Sequence, residues 1–176
     1  MIPDWLQPLV EAARDPRAAQ LSRFLVPEDD SARQSAVLMA FADSPHGPSV
    51  LLSQRAATLR SHAGQVAFPG GSVDPDDPST VATALREAEE EVGLEPASVD
   101  VLAEFPPLFI PVSGFVVTPV LAWWRDPHPV APRDPAEVAR VELVPVATLV
   151  DPANRFNVAH PSGFVGPGFE AGDLFI

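Results

Sequence analysis

The chain has 176 residues, 46% of them hydrophobic, enough for one compact domain with a sizeable core rather than for two. Cysteine is absent, which excludes disulfides, thiolate zinc sites and a cysteine nucleophile and fits a reducing compartment. With 24 acidic against 11 basic residues the formal net charge is −13, so the surface repels polyanions and a small molecule, not nucleic acid, is the expected partner.

In chain order, the first residues Met1 to Trp5 lack a basic leader region, and no apolar run approaches the ~20 residues that cross a bilayer. No membrane partner is expected, and the cytoplasm is the expected location. Trp5, Leu6, Leu9, Val10 and Ala13 recur at helical spacing, which predicts an amphipathic helix over about 4–14 with Asp4 as its cap and Trp5 in the core. Apolar runs at about 36–42 and 50–55, separated by Asp43-Ser44-Pro45-His46-Gly47-Pro48, predict a hairpin. A short β-like run, roughly 65–68, leads into Gly70-Gly71, and a helix follows that Ser79 or Thr80 can cap and Gly93 can end. Strands are predicted at about 99–105, 115–124 and 138–144, then a short helix at about 146–149. The proline segments Phe105-Pro106-Pro107 and Ile110-Pro111 read as loops able to line a pocket, and His128 and His160 as surface residues. Strands on both sides of an acidic helix make this an α+β sandwich. Leu174-Phe175-Ile176 is too apolar for an exposed terminus and predicts further residues beyond Ile176.

The chemistry concentrates on the acidic helix. At about 100° per residue, Glu87, Glu90 and Glu91 share roughly a third of the circumference, while Glu89 turns away to solvent. Like charges so placed weaken an isolated helix by about 0.3 kcal/mol per pair, a cost that a bound cation offsets. Mg²⁺ or Mn²⁺ suits an all-oxygen donor set better than zinc, because no histidine or cysteine lies in the cluster. A solvated acidic face is the plain alternative. An EF-hand loop starting at Asp74 is excluded, since Ser79 stands where that loop needs glycine. Gly70 and Gly71 allow positive φ and close approach of backbone to a phosphate. In so acidic a chain a polyanionic substrate needs local cations, and Arg55, Arg60 and His62 are the basic residues clustered nearby, apart from Arg86 on the helix itself. A guanidinium grips phosphate with a planar fork, although every basic residue here is arginine and the choice over lysine carries no information.

Arg86-Glu87-Ala88-Glu89-Glu90-Glu91-Val92-Gly93-Leu94 resembles the REUxEExGU half of the Nudix box, U being a bulky apolar residue, which would span roughly 71–94. The interval from Gly71 to Arg86 is one residue longer than usual, and Asp77 or Pro78 takes the place of the family's early glutamate. Upstream, Leu51-Leu52-Ser53-Gln54-Arg55, Leu59-Arg60, His62, Gly64 and Val66-Ala67-Phe68-Pro69-Gly70-Gly71 are similar to the LLTxR(S/A)xxLRxHxGxVxFPGG signature of the coenzyme A pyrophosphatase branch. The resemblance covers roughly 35–149. It implies a single Nudix hydrolase domain across 1–176, a mixed-sheet α/β/α sandwich, and hydrolysis of coenzyme A or its derivatives to 3′,5′-ADP and 4′-phosphopantetheine with two or three Mg²⁺ or Mn²⁺ ions. Glu87, Glu90 and Glu91 would be metal ligands and Arg86 would orient a carboxylate. A broader nucleoside-diphosphate pyrophosphatase, acting on ADP-ribose or dinucleotides, is the second reading. A non-catalytic binding module is the third, and the co-facial carboxylates speak against it. A homodimer is left open. Hydrolysis also needs a carboxylate to take a proton from water. In several branches of the family it comes from the loop before the last core strand, here about 125–137, where Glu137 stands, with Glu142, Glu104 and Asp134 as its competitors.

Overall fold

The computed structural model describes residues 1–15, 17–18, 24–27, 32–59, 62–159 and 165–176. A 3-10 turn at Asp4–Leu6 runs into helix α1, Gln7–Arg14. Asp4 is the first residue of that turn rather than a side-chain cap, because the chain enters through the extended backbone of Pro3. The predicted hairpin forms from β1, Arg33–Ser44, and β2, Gly47–Arg55, and is tighter than expected: Ser44 pairs with Gly47 across a turn of only Pro45 and His46. Gly47 takes φ +90° there, a conformation that side chains rarely adopt.

After β3 (Val66–Ala67) and β4 (Gly70–Ser72) come helix α2 (Thr80–Val92), β5 (Val99–Glu104), β6 (Leu108–Ile110), β7 (Phe115–Trp124), β8 (Val138–Pro145) and helix α3 (Val146–Val150). These eight strands form one mixed sheet. Its main order is β3-β2-β1-β7-β5, with β4 on β1, β6 on β7 and β8 on β2. The β1–β7 pair is parallel, from Arg33↔Phe115 to Phe41↔Trp123. Strand alternation then sorts side chains into two layers. Ala36, Leu38, Ala40, Ala42, Leu51, Val120, Ala122 and Trp124 face α2, whose Ala84, Ala88 and Val92 are fully buried against them. On the opposite face Phe41, Leu52, Leu121 and Trp123 are covered by Leu6 and Val10 of the N-terminal helix. Trp5 belongs to this second core, edge-on to Phe41 and Trp123, with its indole N–H donating to the Asp43 carboxylate at 3.1 Å. The architecture is the expected α/β/α sandwich.

Two expectations change. Residues 108–110, between the two proline segments, are the strand β6, zipped to β7 in the register Leu108↔Val117. His128 is half-buried, not a surface residue: its ring lies edge-on to Trp124 and its Nε2 accepts from the Glu95 N–H at 3.2 Å. β9 (Arg155–Ala159), β10 (Val165–Ala171) and β11 (Leu174–Phe175) form a second, three-stranded sheet, and Leu174 is buried in the second core. His160 lies outside the described residues. Among those described, no helix is long and apolar enough to cross a membrane.

Candidate active site

Small residues let α2 dock closely, and that docking decides where its carboxylates go. Ser79 caps the helix, accepting from the Ala82 N–H at 3.2 Å, and Gly93 ends it at φ +73°. With Ala84 and Ala88 against β1, Glu87 and Glu91 are turned toward β4. There the paired glycines act differently from expectation: neither takes a positive φ. What they provide is room. A Cβ on Gly71 would lie 2.5 Å from the Glu87 carboxyl carbon, and one on Gly70 would lie 2.3 Å from the Ala36 carbonyl oxygen. The Gly70 N–H donates to Glu91 Oε2 at 3.1 Å, fixing that carboxylate.

Glu87, Glu91 and Glu137 line one cleft of about 720 Å³, and Arg55, His62, Gly70 and Gly71 contribute to its walls. Arg55 spans the acidic groups, Nη1 3.9 Å from Glu91 and Nη2 3.9 Å from Glu137, and its buried Nε has no hydrogen-bond partner. Glu137 is held from behind, because its carbonyl accepts from the Ala56 N–H at 2.8 Å while its side chain stays half exposed. His62 takes φ +55°, and its Nδ1 lies 2.8 Å from Gln65 Oε1. Arg60 lies outside the described residues.

Arg86 and Glu90 stand beside this cleft rather than in its lining. The Arg86 guanidinium binds both Asp77 oxygens at 3.0 and 2.9 Å, and its Nη1 lies 3.0 Å from both Glu87 and Glu90. Asp77, not Pro78, therefore fills the position ahead of the helix. Its side chain is only 7% exposed, Thr83 donates to it at 2.9 Å, and Arg86 holds its carboxyl well below the usual carboxylate range. The competing bases are occupied elsewhere: Glu142 pairs with Arg140, Thr80 donates to Glu104, and Asp134 accepts from the Ala136 N–H within its own turn.

Burial governs the charge state of the cleft. It pushes Glu91 up to about 7, aided by the nearby Glu87 and Glu137 and opposed by the Gly70 amide and Arg55. Burial also raises Glu87, against the pull of Arg86. Two carboxyls held above their ordinary values beside a third mark a site short of positive charge. Among the described residues no group of three or more His, Asp or Glu side chains is placed to hold a metal ion, so Glu87, Glu90 and Glu91 do not converge as a three-carboxylate site. The open, all-oxygen arrangement fits Mg²⁺ or Mn²⁺, which bind through one or two carboxylates and complete their shells with water and substrate phosphate.

Arg33 and Phe115 also line the cleft, and sequence reading missed them. The guanidinium lies 4.0 Å from the ring centroid and donates to the Ser113 carbonyl at 3.0 Å. These residues are 82 positions apart, and the parallel β1–β7 register brings them together, a long-range pairing that no local pattern announces.

The family model of the NUDIX domain matches residues 32–165. The uncharacterized Nudix hydrolase NudL of Cronobacter sakazakii is 50% identical over 129 residues, covering 73% of this chain and 64% of that protein. NudL of Photorhabdus laumondii is 48% identical over 118 residues, 67% of this chain and 62% of that protein. The chain thus spans less than two thirds of the length of these curated relatives. Among solved structures, a C. elegans Ap4A hydrolase binary complex superposes with a TM-score of 0.55 at 20% identity, covering 66% of this chain and 83% of that one. The NUDIX domain of Shewanella oneidensis NrtR, complexed with ADP ribose, gives 0.55 at 20% identity, covering 77% and 87%. These two likenesses show the shared fold, and the domain match across residues 32–165 makes this chain a member of the NUDIX domain family.

Proposed function

We propose that the chain hydrolyses the diphosphate linkage of coenzyme A or its derivatives, giving 3′,5′-ADP and 4′-phosphopantetheine, in the cytoplasm. The observation that carries hydrolysis is the convergence of Glu87, Glu91 and Glu137 on one cleft, with Arg55 spanning two of them. Support for coenzyme A comes from the segment running from Leu51 to Gly71, which contributes Arg55, His62 and the glycines to that cleft.

Nudix hydrolases generally use divalent ions such as Mg²⁺. Glu87 and Glu91, with Glu90 at the edge, would hold Mg²⁺ or Mn²⁺, which when bound neutralises phosphate charge and lowers the pKa of a bound water. Arg86 anchors Glu87 and Glu90 against Asp77, so both carboxylates keep their direction. Glu137 takes the proton as the water oxygen attacks phosphorus, and the bridging P–O bond breaks with its electron pair leaving on the departing phosphate. Arg55, placed between Glu91 and Glu137, then donates to the diphosphate oxygens in place of those carboxylates.

A second reading, a broader pyrophosphatase acting on ADP-ribose or dinucleotides, draws on the two structural neighbours, one an Ap4A hydrolase and the other complexed with ADP ribose. One assay separates the two: coenzyme A, ADP-ribose and Ap4A are each incubated with Mg²⁺ or Mn²⁺, with and without chelator, and the products identified. Metal-dependent release of 3′,5′-ADP from coenzyme A at the highest kcat/KM is the expected result. Cleavage of ADP-ribose with coenzyme A untouched would select the second reading, and full turnover in chelator would remove the metal.

A further inference from the structure

The groups that line the cleft fall into two unlike ends. β4 runs beside β1 in the register Gly70↔Val37, Gly71↔Ala36 and Ser72↔Ser35. Glu91 accepts from the Gly70 amide and Glu87 lies against Gly71, so stepping back along β1 from Val37 to Ala36 passes both carboxylates and leads toward Arg33. Arg33 stands three residues from Ala36, about 10 Å along an extended strand. Unlike Arg55 and Arg86, it forms no ion pair among the described residues. Its guanidinium lies over the ring of Phe115, the β7 residue beside it, and one edge is tied to the Ser113 carbonyl. Val112, 94% exposed, and Val117 flank Phe115 in sequence and also line the cleft.

A phosphate at this end would meet that guanidinium and, among the described residues, little else. The chain has no lysine, and the Ser113 and Gly114 amides already donate to the Ile110 carbonyl, at 3.2 and 2.9 Å. One exposed ion pair adds about fivefold in affinity or less. A flat heterocycle gains more, because stacking a base on an aromatic platform contributes about 5- to 150-fold, and a guanidinium laid on the ring extends that platform. We infer that Arg33 and Phe115 form a nucleobase platform. The base of the substrate's nucleoside half stacks on the open face of the guanidinium, which Phe115 backs and the Ser113 carbonyl keeps from turning. The diphosphate then lies over Glu87 and Glu91, and the other half of the substrate points toward Arg55 and Glu137. The position of the phosphates rests on the diphosphate-hydrolysis reading, whichever of coenzyme A, ADP-ribose and Ap4A is cleaved, since each carries adenine. The platform itself rests on the Arg33–Phe115 pair.

The test compares two uncleavable ligands that differ only in the base. α,β-Methylene-ADP and ribose 5-(α,β-methylene)diphosphate are titrated calorimetrically into the protein with Mg²⁺ present. The expected result is a Kd at least about fivefold lower for the adenine compound. Arg33→Ala should bring the two Kd values together, and so should Arg33→Lys, which keeps the charge and loses the planar face. Equal Kd values in the parent, or an undiminished base increment in either variant, overturn the inference. A loss shared by both ligands in Arg33→Ala and restored in Arg33→Lys also overturns it, and makes Arg33 a phosphate contact. Hydrolysis of coenzyme A and ADP-ribose by the parent tests the reading separately. If neither is cleaved while the base increment holds, the hydrolysis reading fails and the platform stands; if either is cleaved and no increment is found, the platform fails and the reading stands.

Discussion

Arg55 reaches toward Glu91 and Glu137 at 3.9 Å each, longer than a direct hydrogen bond, and its buried Nε is unpaired. A guanidinium so loosely held gains most from a diphosphate placed over the carboxylates, not from a phosphate at the far end of the nucleotide. Arg55→Ala should therefore lower kcat/KM equally for coenzyme A and for dephospho-coenzyme A, whereas Arg60→Ala should penalise coenzyme A alone if that residue meets the 3′-phosphate. A loss confined to coenzyme A in Arg55→Ala would move the 3′-phosphate contact to Arg55. Glu137 shares the cleft, and its side chain is half exposed. As the proton acceptor it should show a fall in kcat of about 10²–10⁴-fold in Glu137→Gln, with the Mn²⁺ midpoint unchanged. A shifted midpoint with the rate restored by excess Mn²⁺ would make it a ligand, and near-normal kcat at saturation would take it out of the mechanism.

The pairing of α2 with β4 sets the geometry of the acidic cluster, and the two glycines of β4 fail in different ways when replaced. At Gly71 the obstacle is the mobile end of Glu87, so Gly71→Ala should keep the fold, with Tm within a few degrees, while kcat drops at least tenfold because Glu87 is displaced. At Gly70 the obstacle is β1 backbone, so Gly70→Ala should destabilise by about 1–3 kcal/mol or more. Equal Tm values for the two variants would contradict this account. The local pattern already carried much of this element: the helical face of Glu87, Glu90 and Glu91, the Ser79 cap and the Gly93 stop are all functions of neighbouring residues. Separating Glu90 from Glu87 and Glu91 was beyond it, because that depends on how Ala84 and Ala88 seat the helix and on where Arg86 and Asp77 sit. The central strands were legible through their apolar runs, whereas β9 is short and exposed at every position and β10 carries Pro167 and Gly168, so neither has the apolar run that marks a central strand. Arg33 and Phe115 were hidden for a topological reason, since only the parallel β1–β7 register joins them.

At the scale of the whole molecule, a net charge of −13 and a buried acidic cleft tie stability to pH and to divalent cations. Glu91 moves from 4.5 to about 7 on folding, chiefly by burial, so the folded chain holds that proton more tightly than the unfolded one. Its contribution is complete below about pH 4.5 and is lost as pH rises through about 7, an effect of about 3 kcal/mol. Asp77 acts in the opposite sense: lowered by Arg86, it stabilises above 3.8 and loses that contribution only in stronger acid, outside this window. In chelator, Tm should therefore fall between pH 5 and pH 8. A cation that binds the ionised carboxylates reverses the loss, adding about 2.7 kcal/mol at a concentration of 100 Kd, and it can do so only where Glu91 has given up its proton. Mn²⁺ should accordingly raise Tm by several degrees at pH 8 and hardly at pH 5. General self-repulsion of an acidic chain also lowers Tm as pH rises, so the decisive comparison is with Glu91→Gln, which should show a shallower fall in chelator and a smaller response to Mn²⁺. If the variant instead follows the parent curve at every pH, with the same Mn²⁺ increment, Glu91 neither titrates near 7 nor holds the ion, and the charge deficit of the cleft belongs to Glu87.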